Sequence, residues 1–213
     1  MIYVKNSNTE IAFIVPSDIF KQTKDWEYTQ DRNVFEEQLA TGSFKGKYPV
    51  KNYMIEIMKI AQQQGKIMPY YGAGGSSGAC FYLFRFLTNK CRFQVTHSVT
   101  KKSLWFYLKF EILPPSIKIE RKPEMQFSFL PYFTDEKLEN PWNGERHKVL
   151  VCKIFDQEYE NLKKWKYWKN TEALTTRYIY RFAQVSMSAT GFSIKVRDTD
   201  TGNKIDITDY DNW

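Results

Sequence analysis

Between Asn161 and Lys169 the chain reads Asn-Leu-Lys-Lys-Trp-Lys-Tyr-Trp-Lys, so four lysines alternate with three large rings. A lysine ammonium offers charge to a phosphate, and an indole or phenol offers a flat face to a base. Interleaving the two is how a surface grips a single nucleic-acid strand. The chemistry expected of this run is binding without turnover. Lys163, Lys164, Lys166 and Lys169 would meet phosphates, Trp165, Tyr167 and Trp168 would stack on bases, and Arg177 and Arg181 follow nearby in sequence. The same residues have a second reading. Tyr159, Leu162, Trp165 and Trp168 recur every third residue, the spacing of a buried helical stripe with the lysines solvated opposite.

A second constellation is acidic. Glu120-Arg-Lys122 lies downstream of Glu111, and the set resembles the metal-dependent nucleases with a PD-(D/E)xK core. The resemblance implies that Glu111 and Glu120 would hold Mg²⁺ while Lys122 helps to position the attacking water. The Asp of that pattern is absent, and Asp135-Glu-Lys137 repeats the acid-to-lysine spacing elsewhere. A nuclease is therefore the enzymatic alternative, with Mg²⁺ its only cofactor. The leading expectation is a non-catalytic protein without a cofactor.

Other patterns carry less chemistry. Asp198, Asp200, Asp206 and Asp209 fall at positions one, three, nine and twelve of a calcium loop, but Gly202 sits where a ligand oxygen belongs and Asn203 where glycine belongs. A polar turn between strands accounts for the same residues. The glycine-rich loop Gly72–Gly78 follows a helical segment and feeds a strand, the reverse of a dinucleotide fingerprint, and it lacks the Gly-Lys-Ser/Thr ending of a P-loop. It remains a connection or a flap over a partner. Ile2-Tyr-Val-Lys-Asn6 resembles the first-strand motif of RNA-recognition-motif domains, yet Ile11 to Val15 reads as a strand where that fold has its first helix, so the family is not assigned. His97 and His147 have no second His or Cys at ligand spacing, which argues against zinc.

The elements that must position these residues are mostly strands. Ile2 to Val4 and Ile11 to Val15 form a hairpin, and Cys80 to Leu87, Arg92 to Val99 and Ser103 to Ile112 form a meander across short separators. Helices are expected at Asn33 to Ala40, ended by Gly42, at Lys51 to Gln64, and over the basic aromatic run. The stretch from Pro16 to Asp31 is mixed and polar and gives no helical signal. Edge strands are expected at Ile117 to Arg121 and Met125 to Phe129, and a strand at Lys148 to Phe155. Thr176 to Met187 alternates with Tyr178, Tyr180 and Phe182 on one face and Arg177, Ile179 and Arg181 on the other, and Phe192 to Arg197 with Lys204 to Thr208 closes the chain as a hairpin. The expected class is α+β, predominantly antiparallel sheet with two or three helices packed on it, in one domain. If two packed subdomains exist, they part near 140–146.

Composition sets the partners. A net charge of +7 favours anions, and an aromatic share of 17% implies a core built on rings, a ring-rich binding surface, or both. Single-stranded RNA or DNA is the expected ligand, with a place in a ribonucleoprotein and further protein subunits as the wider context. A protein-interaction module is the remaining alternative. Three cysteines without paired spacing fit free thiols in a reducing compartment, and the start of the chain lacks the apolar run of a signal peptide. The expected location is the cytoplasm, with no membrane contact.

Overall fold

The computed structural model describes residues 1–44, 48–71, 80–114, 116, 137–139, 146–148, 150–184 and 192–209. The chain opens with the antiparallel hairpin β1 (Ile2–Asn6) and β2 (Glu10–Val15), where the Ser7 hydroxyl accepts the backbone N–H groups of Thr9 and Glu10. Pro16 ends β2 and starts α1 (Ser17–Thr41), which stops at Gly42 in the left-handed conformation (φ 62°). A short ladder of β3 (Ser43–Phe44) and β4 (Tyr48–Pro49) leads into α2 (Asn52–Gln63). Then come β5 (Cys80–Phe86), β6 (Cys91–His97), β7 (Ser103–Leu108) and β8 (Phe110–Ile112). The pair β9 (Lys137–Glu139) and β10 (Arg146–Lys148) precedes β11 (Leu150–Phe155) and α3 (Asp156–Lys164). A 3₁₀ turn at Asn170–Glu172 connects to β12 (Tyr178–Gln184), β13 (Phe192–Asp198) and β14 (Lys204–Asp206).

The result is an α+β fold dominated by antiparallel sheet, as the alternation implies. One sheet has the order β11-β2-β1-β8 and the other β14-β13-β12-β5-β6-β7. Their inner faces meet. Phe13 of β2 lies parallel to Phe84 of β5, with ring centroids 4.6 Å apart, and also touches Phe86, Tyr180 and Phe182. Phe13, Phe84, Phe86, Phe93, Tyr180 and Phe182 are all fully buried, so a large share of the rings goes into this interface between sheets. Cys80, Cys91 and Cys152 are free and buried, and burial pushes all three thiols up.

Two of the departures from the sequence expectation lie in β7–β8 and in α1. The expected strand Ser103 to Ile112 breaks at Lys109: β7 stays at the edge of the large sheet, while β8 leaves it to pair in parallel with β1. The Lys109 carbonyl at the break accepts the Ile2 N–H at 2.8 Å. Helix α1 begins at Ser17, well before Asn33, and its first half escapes the apolar pattern because part of its buried face is polar. Thr23, Glu27, Gln30 and Gln38 are all buried, so the apolar period that marks a helix is missing there.

Those polar residues meet polar partners. The Tyr82 hydroxyl donates to Glu27 Oε1 at 2.7 Å, and Lys24 holds the other carboxylate oxygen at 2.5 Å. Burial and the Glu27 carboxylate push the Tyr82 phenol well up, so it stays a neutral donor. Asp31 accepts from the Tyr71 hydroxyl and from His97 Nε2, the latter at 3.1 Å. Because His97 Nδ1 accepts the Thr100 backbone N–H at 3.1 Å, the ring proton sits on Nε2 and points to Asp31. The Gln38 amide clamps both backbone groups of Tyr70. This seam fixes α1 against β5, β6 and the segment that enters 72–78.

Helix α2 buries Met58 and Ala61 and leaves Tyr53, Ile57 and Ile60 exposed. Among the described residues no helix is long and apolar enough to cross a membrane.

Candidate nucleic-acid interface

The basic aromatic run splits between helix and turn. Helix α3 ends at Lys164, and Trp165 to Lys169 continue as a turn in which the Trp168 N–H bonds the Trp165 carbonyl at 2.9 Å. Its rings point largely inward. Trp168 is buried, stands edge-on to Tyr159 and donates Nε1–H to the Tyr180 hydroxyl at 3.4 Å. Trp165 packs on the main core beside Tyr178, and Tyr167 stands edge-on to Trp165. Lys163, Lys164, Lys166 and Lys169 are exposed. Lys163 pairs with Glu160 at 2.5 Å, and Lys166 lies over the Tyr167 ring at 4.8 Å.

The two arginines are separated. Arg177 precedes β12 and is held by Asp198 at 2.9 Å and Glu172 at 2.8 Å. Hydrogen bonding to Asp198 raises its guanidinium further. Arg181 lies on the outer face of β12, opposite the Tyr180 side that meets Trp168. There it stacks on Phe81, 3.9 Å from the ring centroid, and burial lowers it from its ordinary range.

Around Arg181 the sheet register assembles a surface that no single segment displays. Cross-strand partners share a face, so the pairings can be followed from edge to edge. One rung runs Lys204, Arg197, Ile179, Arg85, Arg92, Tyr107 from β14 to β7. The next runs Asp206, Lys195, Arg181, Leu83, Gln94, Trp105. A third, from β13, runs Ser193, Ala183, Phe81, Thr96, Ser103. The opposite face of the same strands holds the buried core residues, as the strict burial alternation of β5 and β6 shows. At strand spacings of about 4.8 Å the rungs extend about 24 Å.

Three cross-strand pairs on this face carry like charge: Arg85 with Arg92, Arg181 with Lys195, and Arg197 with Lys204. Like charges directly opposite destabilise a sheet. The rungs contain one acid, Asp206, which binds Lys195 at 3.1 Å and accepts from the Thr208 hydroxyl. Arg85 Nε is buried with no hydrogen-bond partner. Arg92 lies over the Trp105 ring at 5.8 Å. Trp105 and Tyr107, on the edge strand β7, are 55% and 54% exposed, with Arg92 over one face of the Trp105 ring.

Sequence reasoning named only Arg181 of this set. The signal was present as basic residues at one parity of five of the six strands, but the register that makes Arg85, Arg92, Lys195, Arg197 and Lys204 neighbours is a tertiary fact.

The nuclease set is only partly in view. Glu111 is half-buried on β8, paired with Tyr3 of β1, whereas Glu120 and Lys122 lie outside the described residues. So do the glycine loop 72–78 and the 140–145 part of the expected boundary. Among the described residues no three His, Cys, Asp or Glu side chains are grouped to hold a metal. In the expected calcium-loop segment, Asp198 is buried and spends its oxygens on Arg177 and on the backbone N–H groups of Asp200 and Thr201, which makes it a turn-forming residue. Cys80 and His97 are cross-strand partners, but both His97 nitrogens are engaged by Asp31 and Thr100, and burial keeps Cys80 a neutral thiol. This pair lacks an activated nucleophile. No protein-family model, curated protein or solved structure matches this chain.

Proposed function

We propose that this protein binds single-stranded nucleic acid without cleaving it, and that the outer face of the six-stranded sheet is the seat. The observation that carries the reading is the set of like-charged cross-strand pairs on that face, ending in two exposed rings. A phosphodiester chain relieves the repulsion between opposed cations, and its bases find ring faces on β7. The exposed Lys164, Lys166 and Lys169 offer a second contact for an anion at the end of α3, where Trp165 and Trp168 serve the core. A ribonucleoprotein subunit is the wider role that fits, in the cytoplasm, where the three buried thiols would stay reduced.

The test is binding of labelled single-stranded RNA and DNA and of the matching duplexes across a salt series, with and without Mg²⁺, with the same samples run on a denaturing gel. Salt-sensitive binding of intact single strands is expected. Absence of binding at low salt would remove the reading, and Mg²⁺-dependent fragments would move attention to Glu111, Glu120 and Lys122.

A further inference from the structure

We infer that the sheet face holds a strand by its backbone and by the planes of its bases, without reading base edges, so that binding is independent of sequence. The inference rests on the nucleic-acid reading above and adds the ligand class. Direct readout needs uncommitted donors and acceptors positioned against a base edge. Over β6 and the start of β7 the neutral polar groups of this face are already committed to one another or to Arg92. The Gln94 carbonyl oxygen accepts from Arg92 at 2.5 Å, and its amide nitrogen donates to Thr96 at 3.0 Å and to Ser103 at 3.2 Å. The Thr96 and Ser103 hydroxyls bond each other at 2.8 Å. Asp206, the residue that could accept from a cytosine amino group, is engaged by Lys195 and Thr208.

What remains is charge and ring surface. Arg85, Arg92, Arg181, Arg197 and Lys204 are free of carboxylate partners among the described residues, and two of these guanidiniums already lie over rings. Trp105 and Tyr107 sit two positions apart on one face of β7, a separation of about 6.8 Å along the strand. Two successive bases of an extended strand can stack there, and every base has a ring face to offer. The cations lie inward from β7, on β6, β5, β12, β13 and β14, so the phosphates would run across those strands from the two bases stacked at the edge.

The experiment compares labelled strands of equal length: oligo-U, oligo-A, oligo-C, a mixed strand with guanine at every third position, and an abasic strand with the same phosphates. The four base-containing strands are expected to bind within about threefold of one another. One bidentate edge contact would discriminate by roughly fivefold to more than a hundredfold. The abasic strand is expected to bind at least tenfold more weakly, and Trp105→Ala to remove most of that difference. A preference above tenfold for one base, lost in Arg181→Ala or Gln94→Ala, would overturn the inference and leave the binding reading in place. An abasic strand that binds as well as the others would overturn the stacking half. Failure of all five strands to bind at low salt would sink both the inference and the reading beneath it.

Discussion

The cation pair Arg197 and Lys204 gives the sharpest quantitative prediction. Both side chains are exposed, Lys204 on the edge strand β14 and Arg197 on β13 beside it, they are cross-strand partners, and no carboxylate among the described residues pairs with either. If Arg85, Arg92, Arg181, Arg197 and Lys204 each neutralise one phosphate, counterion release at about 0.7 per phosphate gives log K against log salt a slope of about −3.5. Arg197→Ala with Lys204→Ala should reduce it to about −2.1. Between 50 and 200 mM salt the wild-type affinity would then fall about a hundredfold and the variant about twentyfold. Stability should change by less than about 0.5 kcal/mol, because exposed side chains are removed and a like-charge pair is relieved. The assay is fluorescence anisotropy with a labelled single strand at several salt concentrations, accompanied by a urea melt. An unchanged slope in the variant, with the wild-type slope near −3.5, would show that these cations do not touch the strand. If the slope flattens instead in the variant with Lys163, Lys164, Lys166 and Lys169 all changed to alanine, the α3 end is the seat.

Three further outcomes follow from named contacts. Trp105→Ala with Tyr107→Ala should weaken binding by about 1–3 kcal/mol for each base that stacks, while leaving the salt slope in place because no charge is lost; unchanged affinity would exclude β7 as the base platform. Tyr82→Phe removes a buried donor to the Glu27 carboxylate and should cost about 1.5–3 kcal/mol in a urea melt; a cost below about 0.5 kcal/mol would mean that the polar seam does not hold α1 in place. Burial raises the Asp198 carboxyl, but hydrogen bonds from Arg177 and from the Asp200 and Thr201 N–H groups outweigh it, so its folded value lies below the usual one. Its contribution is present above the unfolded value of about 3.9 and is lost as pH falls through the folded value. Asp198→Asn should therefore destabilise the protein at neutral pH by more than it does near pH 3, and a difference constant with pH would contradict the assignment.

Much of the fold was legible because most strands bury one face. The alternation in β5, β6 and β12 marks antiparallel strands, and the burial of Tyr178, Tyr180 and Phe182 matches the parity read from sequence. The first half of α1 was not legible, since Glu27, Gln30 and Asp31 gain their long-range partners only when Tyr82, Thr100 and His97 are brought to them. The break at Lys109 was hidden by alternation that runs on through two strands belonging to different sheets. At the candidate site the limits are similar. The 161–169 run is conspicuous because its residues are adjacent in sequence, yet Tyr159 and Tyr180 decide that Trp168 faces inward. The sheet face is inconspicuous because its cations lie on five strands spread between Arg85 and Lys204, and only the register makes them neighbours.

The most direct measurement is photochemical. Irradiating the protein bound to a strand that carries 4-thiouridine at each uridine, then mapping the adducts by mass spectrometry, reports which rings touch bases. The account predicts adducts on the β7 peptide containing Trp105 and Tyr107, reduced in the Arg197→Ala/Lys204→Ala variant at moderate salt. Adducts confined to Trp165, Tyr167 and Trp168, with none on β7, would contradict it.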